Sequence, residues 1–492
     1  MHFRAYRLAA LFAPSVLVFS AFPAAAADPA NADRYQAYLT RCQADHICNG
    51  TYLVARNGKI LFAGAFGDAG DTARTPLTID NSFDIGSIAK QFTAMAVLRL
   101  VAAGQISLDG KVATYLPRFP YADITVAQLL SHTSGIADAM PYYTDMIRKG
   151  AVKPPITGAD IVSVLADNDM PAVAPPGARY AYSNTGYMVL AALVERTAGR
   201  PFDTYLDQVF FKPLGMKDTR LRTPDNEGAI GHRAFGFAAA VVGDRRTVDQ
   251  YPGLYMRGAG GIYSTAPDLL RWENALNAGR VIPPRLLALA TTPAKLTDGS
   301  TVPYGFGLSL KPDATGARRI SHGGHWRAFK SDLSYYPLSG VTVIQLTNNN
   351  QDDSVDANAA ALSTIAAGGT PPPLPGPIGW ALADKLAAGT AQSWFETELS
   401  ENPRRYDIQE AELNNLGYAY LKQKDAARAV RVFKLETLAF PGSANAFDSL
   451  ADAYEASGDT KNAYASVQSA AALVPSSAAY AKRAGELKAR LP

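Results

Sequence analysis

Cysteine is almost absent from this chain, with two in 492 residues, Cys42 and Cys48. Neither stands where a leader would be cleaved, so a lipid anchor is not indicated. Histidine is nearly as scarce, at six. His322 and His325 lie three apart, but no cysteine and no His-Glu-x-x-His helix accompanies them, so no metal is expected. No cofactor is expected either. Gly258–Asp268 is glycine-rich but lacks the Lys-Ser/Thr ending of a phosphate loop, and reads as a tight turn and N-cap before a Leu269–Leu276 helix. No Gly-x-Ser-x-Gly elbow occurs, which argues against an α/β-hydrolase. An excess of one charge is missing too. The formal +3 includes Arg4 and Arg7; without these two, 45 basic residues face 44 acidic ones. Nothing therefore points to nucleic acid or an anionic membrane as partner.

What is present begins with an export signal. Arg4 and Arg7 precede an apolar run from Leu8 to Phe22, then Ala24–Ala27 and Asp28, so residues 1–27 read as a cleaved leader. The run is short and broken by Pro14 and Pro23, so no membrane span is expected after processing. The protein is expected to be exported, periplasmic or secreted. In an oxidising compartment Cys42 and Cys48 are expected to close a small disulfide loop. The whole sequence is 48% hydrophobic and 18% charged, enough for substantial cores in two or more domains.

Along the chain, Asn57-Gly58 between Tyr52–Ala55 and Ile60–Phe62 predicts a hairpin. A helix carrying Ser87 ends near Ala103-Gly104, a short one follows from Ile124 to Leu130, and Met188–Ala198 closes on Gly199. Phe202–Phe211 is a further helix. Tyr304–Leu310, Ser331–Tyr336 and Val341–Leu346 read as strands. Residues 28–365 thus form one domain, and 366–378, rich in Pro and Gly, form a linker. In residues 379–492, Leu413, Leu416, Gly417, Tyr420, Ala429, Phe433 and Pro441 recur 34 positions on as Phe447, Leu450, Ala451, Tyr454, Ala463, Val467 and Pro475. That period resembles the tetratricopeptide repeat, a helix-turn-helix unit. Its concave surface would take a protein or peptide partner; the other reading is a rigid appendage on the catalytic domain.

Ser87 and Lys90 stand one helical turn apart. A serine hydroxyl needs a base, and a lysine can be one only if burial or a neighbouring cation lowers its pKa from about 10.4. Further motifs follow in order: Tyr182-Ser183-Asn184, then His322-Gly323-Gly324. With the flanks Phe83–Thr93, Leu129–Ile136 and Tyr182–Tyr187, residues 45–365 resemble the serine β-lactamase-related superfamily. The nearest branch contains class C β-lactamases, D-alanyl-D-alanine carboxypeptidases, D-aminopeptidases and esterases. The resemblance implies an α+β fold, an antiparallel sheet flanked by helices beside an all-helical lobe, with the site between them. It implies an acyl-enzyme on Ser87, with Lys90 and Tyr182 handling protons and Asn184 holding Lys90 or the substrate. The oxyanion would rest on the backbone N–H groups of Ser87 and His325, which Gly323 and Gly324 leave accessible. Which residue is the acylation base stays open.

The sequence departs from cell-wall peptidases at the third motif, where His322 replaces a permanent cation. A mostly neutral histidine binds a carboxylate less firmly than an ammonium. The expectation is an exported acyl-serine hydrolase of small esters or D-amino-acid-type amides. A β-lactamase or D-alanyl-D-alanine carboxypeptidase is the alternative, and a non-catalytic binding protein that docks through its repeats is the third. The substrate is a small molecule or peptide-like compound, and loops 138–175 and 220–256 select it.

Overall fold

Asn57 and Gly58 both hold left-handed φ angles, 49° and 78°, the geometry that turns one strand tightly into the next. They join β1 (Gly50–Arg56) to β2 (Lys59–Phe66) in a computed structural model describing residues 29–149, 157–350, 354–401 and 405–491. The export leader expected over residues 1–27 lies outside the described residues. Three strands from the far end of the domain complete an antiparallel sheet: β3 (Ile320–Trp326), β4 (Phe329–Tyr336) and β5 (Val341–Thr347). The order is β3-β4-β5-β1-β2, which pairs the early strand β1 with β5, about 290 residues on, and leaves β3 on an edge.

Both faces of this sheet are covered, which is why β1 and β5 read as nearly continuous apolar runs. On one face Tyr52, Val54, Val341 and Val343 pack against helices Pro29–Ala44 and Ser354–Ala366 through Tyr35, Leu39, Leu362 and Ile365. Cys42 and Cys48 are joined in a disulfide in this layer. On the other face Leu53, Ile344 and Leu346 meet the larger core, shared with helices Ala89–Ala102, Asn184–Ala198 and Ala266–Asn277.

Helix Ala89–Ala102 is the axis of that core, buried at every position from Ala89 to Leu98. A helix enclosed on all sides has no amphipathic stripe, so its polar members need internal partners. Thr93 Oγ1 donates to the Gly258 carbonyl at 2.6 Å, and Gln91 Oε1 accepts from Trp272 Nε1 at 3.1 Å. Phe92 stacks near Trp272, with centroids 4.1 Å apart.

Several elements differ from expectation. Helix Asn184–Ala198 starts four residues before Met188, because Ser183 caps it by accepting the Gly186 N–H. Tyr304–Leu310 is not a strand: Gly307 sits at φ 70°, and only isolated bridges tie Ser309 to Tyr304 and Ser321. Ser321–Trp326, in contrast, lies wholly within β3. The Pro29–Ala44 helix was not expected at all. Beyond residue 378 the described chain is almost entirely helical. Helices Glu410–Lys422 and Ala426–Ala439 recur as Ala444–Ala456 and Thr460–Leu473, the 34-residue offset realised in backbone.

Replacing Phe92 with alanine is expected to destabilise the sheet-bearing core by about 3–5 kcal/mol. Urea unfolding followed by tryptophan fluorescence would check this, since Trp272 reports on the same contact.

Candidate active site

From Asn81 to Leu98 every residue is buried except Ser87. Ser87 occupies a single 3-10 turn, Gly86–Ile88, that leads into the Ala89–Ala102 helix. Two features fix the turn. Phe83–Asp84 pairs antiparallel with Ile262–Ser264, and Asp84 Oδ1 accepts the Gly86 N–H at 2.8 Å. Gly86 has φ 51°, and a Cβ there would stand 2.8 Å from the His325 nitrogen. Glycine is needed on both counts.

Beneath Ser87 lies Lys90, fully buried. Its Nζ is 2.9 Å from Ser87 Oγ, 2.9 Å from Asn184 Oδ1 and 2.8 Å from the Ala259 carbonyl oxygen. Two of these partners can only accept. A charged amine donates to all three; a neutral amine, with two N–H donors and one lone pair, fits the same set when the Ser87 O–H donates to the lone pair. Burial brings the Lys90 pKa from 10.5 to about 7, against a smaller upward pull from Asp138. Asn184 reaches Lys90 from the first turn of its helix, so that helix and the nucleophile's share one amine.

Tyr182 closes the cleft above. The residue is 41% exposed, while its hydroxyl is hydrogen-bonded to Ser87. Burial raises its pKa above the ordinary 10, and the Ser87 hydroxyl opposes this. Lys90 Nζ lies 4.8 Å from the ring centroid. As pH rises the amine loses its charge near 7, before the phenol ionises, so no lysine cation is there to hold a phenolate at rest. His132 secures this tyrosine's backbone. Its Nδ1 accepts the Ser183 N–H at 3.1 Å, its carbonyl accepts the Ala181 N–H at 2.8 Å, and its ring packs 4.2 Å from the Tyr182 ring. Burial holds His132 well below its usual pKa. It is a neutral clamp.

The third motif lies on edge strand β3. Ser321 exchanges two backbone hydrogen bonds with Ser309 outside the sheet, at 2.7 and 3.0 Å. Strand groups alternate with period two, so the N–H groups of Gly323 and His325 also point outward, toward the Ser87 turn. A Cβ on Gly324 would lie 2.0 Å from the Ile85 carbonyl oxygen and 3.3 Å from the Ser87 nitrogen. Two missing side chains, at Gly86 and Gly324, thus let strand and turn touch. His322 is spent within the protein: Nδ1 donates to the Gly323 carbonyl at 2.6 Å and Nε2 accepts the Tyr304 hydroxyl at 2.9 Å. Burial, reinforced by Lys90, lowers its pKa to about 3. It is a neutral, oriented wall.

The cleft has a volume of about 550 Å³, and Ser87, Tyr182, Asn184, His322, Gly323 and His325 line it. Lys90 lies beneath Ser87, behind the cleft surface, and Gly324 at the seam, so every catalytic or substrate-binding residue expected from the sequence meets here. No Asp, Glu, Lys or Arg lines the cleft among the described residues. Sequence reasoning missed Tyr304, which orients His322. It also missed the Ala259 carbonyl, whereas the wall residues Tyr251, Leu254 and Met256 fall in the expected 220–256 loop. The Gly258–Gly261 run was the available signal for Ala259.

This fold, with its reactive groups at the seam of a helical lobe and an antiparallel sheet, defines the β-lactamase/transpeptidase-like superfamily of serine hydrolases. Residues 36–367 match the Beta-lactamase family, and the chain belongs to it. A penicillin-binding protein of Bacillus subtilis is 31% identical over 320 residues, spanning 62% of this chain and 69% of that protein. A D-aminopeptidase of Brucella canis is 29% identical over 330 residues, 66% of this chain and 60% of the relative's length. Among solved structures, the octameric penicillin-binding protein homologue from Pyrococcus abyssi superposes with a TM-score of 0.60 at 24% identity. It covers 70% of this chain and 78% of that one, and shows the shared fold.

Gly324→Ala should force β3 away from the Ile85 carbonyl and move the His325 N–H. Loss of one oxyanion donor typically costs ~10²–10³ in turnover. The expected result is at least a hundredfold slower labelling of Ser87 by a fluorophosphonate, with circular dichroism unchanged.

Proposed function

We propose that Ser87 is the nucleophile of an acyl-enzyme hydrolase and that neutral Lys90 is its base. The observation that carries this is the full burial of the Lys90 amine 2.9 Å from Ser87 Oγ, with no carboxylate in contact among the described residues. Ser87 Oγ attacks a carbonyl while its proton passes to Lys90 Nζ, and the oxyanion rests on the N–H groups of Ser87 and His325. As the tetrahedral adduct collapses, the Tyr182 hydroxyl protonates the leaving oxygen or nitrogen, and the phenol is restored by the proton Lys90 took. A water then attacks the acyl carbonyl, giving its proton to the same pair. Ser87 Oγ departs with a proton, and the carboxylic acid is released. Asn184 and the Ala259 carbonyl hold the amine in place throughout.

The substrate reading rests on the uncharged lining. A cell-wall carboxypeptidase or β-lactamase binds a carboxylate, and a D-aminopeptidase binds an ammonium; each gains from an opposite charge within reach. Here His322 is neutral and occupied. Asp138, the carboxylate that Lys90 senses, accepts from the Met140 N–H and the Thr185 hydroxyl, both at 3.1 Å. Neutral small esters therefore fit best, with D-amino-acid-type amides next. The penicillin-interacting reading keeps its support from the relatives. We further read residues 1–27 as an export leader, which mass spectrometry of the mature N-terminus at Asp28 would test. Residues 379–492 we read as a tetratricopeptide-like array joined through the 366–378 linker.

In a panel of a p-nitrophenyl ester, a D-phenylalanine amide, a chromogenic cephalosporin and a D-alanyl-D-alanine peptide, the ester should be fastest. Ser87→Ala should abolish its turnover; full activity in that variant would remove Ser87 from the mechanism. Because the base works neutral, kcat/KM should rise with pH through about 7 and then level. A rate flat from pH 6 to 8.5 would contradict Lys90 as base.

A further inference from the structure

The expected substrate loop contains a hairpin whose tip leaves the hydrolase altogether. Phe237–Ala238 pairs with Arg246–Thr247, and between them Val241 and Val242 pack into the core of the C-terminal helices formed by residues such as Leu382, Leu413 and Phe433. The approach is close: a Cβ on Gly379 would be 3.3 Å from Val241 Cγ2, and one on Gly243 would be 3.2 Å from Gln423 Nε2. At its base the hairpin is tied to the hydrolase. Phe237 N–H donates to the Asn348 carbonyl at 2.9 Å, and Ala328 N–H donates to the Val248 carbonyl at 3.2 Å.

Two residues beyond that base stands Gln250. Its Nε2 donates to Asp84 Oδ2 at 3.0 Å and to the Tyr263 hydroxyl at 2.8 Å, while its Oε1 accepts from Trp326 Nε1 at 2.6 Å. Asp84 holds the Gly86 N–H with its other oxygen, and Trp326 follows His325 on β3. One primary amide therefore joins the turn that presents Ser87 to the strand that presents the His325 N–H. Few side chains can do this, since the position needs donors toward a carboxylate and an acceptor toward an indole. The next residue, Tyr251, forms cleft wall under the Arg327 guanidinium, 4.0 Å from its ring.

We propose that Gln250 is a positioning residue that sets the spacing of nucleophile and oxyanion donors, and that the C-terminal helices hold it there by gripping the hairpin tip. The helical region is then a buttress of the active site, whatever else it binds. The proposal rests on Ser87 and the His325 N–H acting as described above.

The test uses the full chain and one neutral ester. Gln250→Leu should lower kcat about 10²-fold, the scale of a misplacement near 1 Å, with KM within about threefold because the residue does not line the cleft. Gln250→Glu keeps the shape and separates positioning from mere packing. Its carboxyl can donate to Asp84 only while the two share a proton. Burial already raises Asp84 to about 6, with Arg222 opposing and Asp249 assisting; Arg233 and Tyr263 face the same site. The kcat of Gln250→Glu relative to wild type should therefore rise as pH falls from 8 to 6. Val241→Asp/Val242→Asp, which loosens the tip, should reduce kcat at least tenfold at an unchanged hydrolase melting transition.

Gln250→Leu within twofold of wild type would overturn the proposal. So would a pH-flat Gln250→Glu ratio beside a slow Gln250→Leu. Full activity of the valine pair would overturn the buttress. Persistent ester turnover in Ser87→Ala would mark failure of the underlying reading instead.

Discussion

The amine of Lys90 sits in the protein interior with no carboxylate in contact, and the rest of the site follows from that desolvation. Moving its midpoint from 10.5 to about 7 disfavours the charged form by about 5 kcal/mol relative to water. The sign matters. The unfolded chain binds this proton more readily than the folded one, so the cost to stability is full below about pH 7 and disappears as pH rises toward 10.5. The fold tolerates the group because Asn184 and Ala259 satisfy its two donors. In the neutral form the remaining lone pair can face Ser87 Oγ, 2.9 Å away. A counter-ion in contact would have raised its pKa and left the lysine protonated at neutral pH, unable to take the serine proton.

Around that amine the structure removes obstacles rather than adding groups. Gly86 and Gly324 let a sheet edge touch a helix entry. His132 and His322 are kept neutral by burial, so neither competes with Lys90 for charge; they fix Tyr182 and the cleft wall instead. The helical lobe supplies Lys90, Tyr182 and Asn184, and the sheet supplies the His325 N–H. Catalytic geometry is thus a property of how two lobes meet. That is why a contact as distant as Val241 on the C-terminal helices can bear on it.

How much of this could be read from sequence depends on how far apart the partners lie. Ser87 and Lys90, or Tyr182 and Asn184, are spaced within a turn, so their motifs carry their geometry, and the order of the motifs carries the fold. The Asn57-Gly58 turn and the 34-residue repeat are local in the same sense. Gln250 meets Asp84 across 166 positions and Trp326 across 76, and leaves no periodic trace. Tyr304–Leu310 alternates like a strand because Tyr304, Phe306 and Leu308 are buried, yet Gly307 at φ 70° prevents one. Ser321–Trp326 has poor strand propensity, with two glycines placed where the sheet edge meets the turn that presents Ser87. In both places close approach to the site outweighs propensity. The ordinary pKa of histidine already marks His322 as mostly neutral, but only the structure shows both its nitrogens spent.

The central claim concerns one proton on one nitrogen, and the most direct measurement titrates it. In the intact protein with ¹³C-labelled lysine, the Lys90 Cε resonance, assigned by its loss in Lys90→Arg, should titrate with a midpoint near 7. A midpoint above about 9, close to that of an ordinary lysine, would show the amine charged at rest and contradict the account.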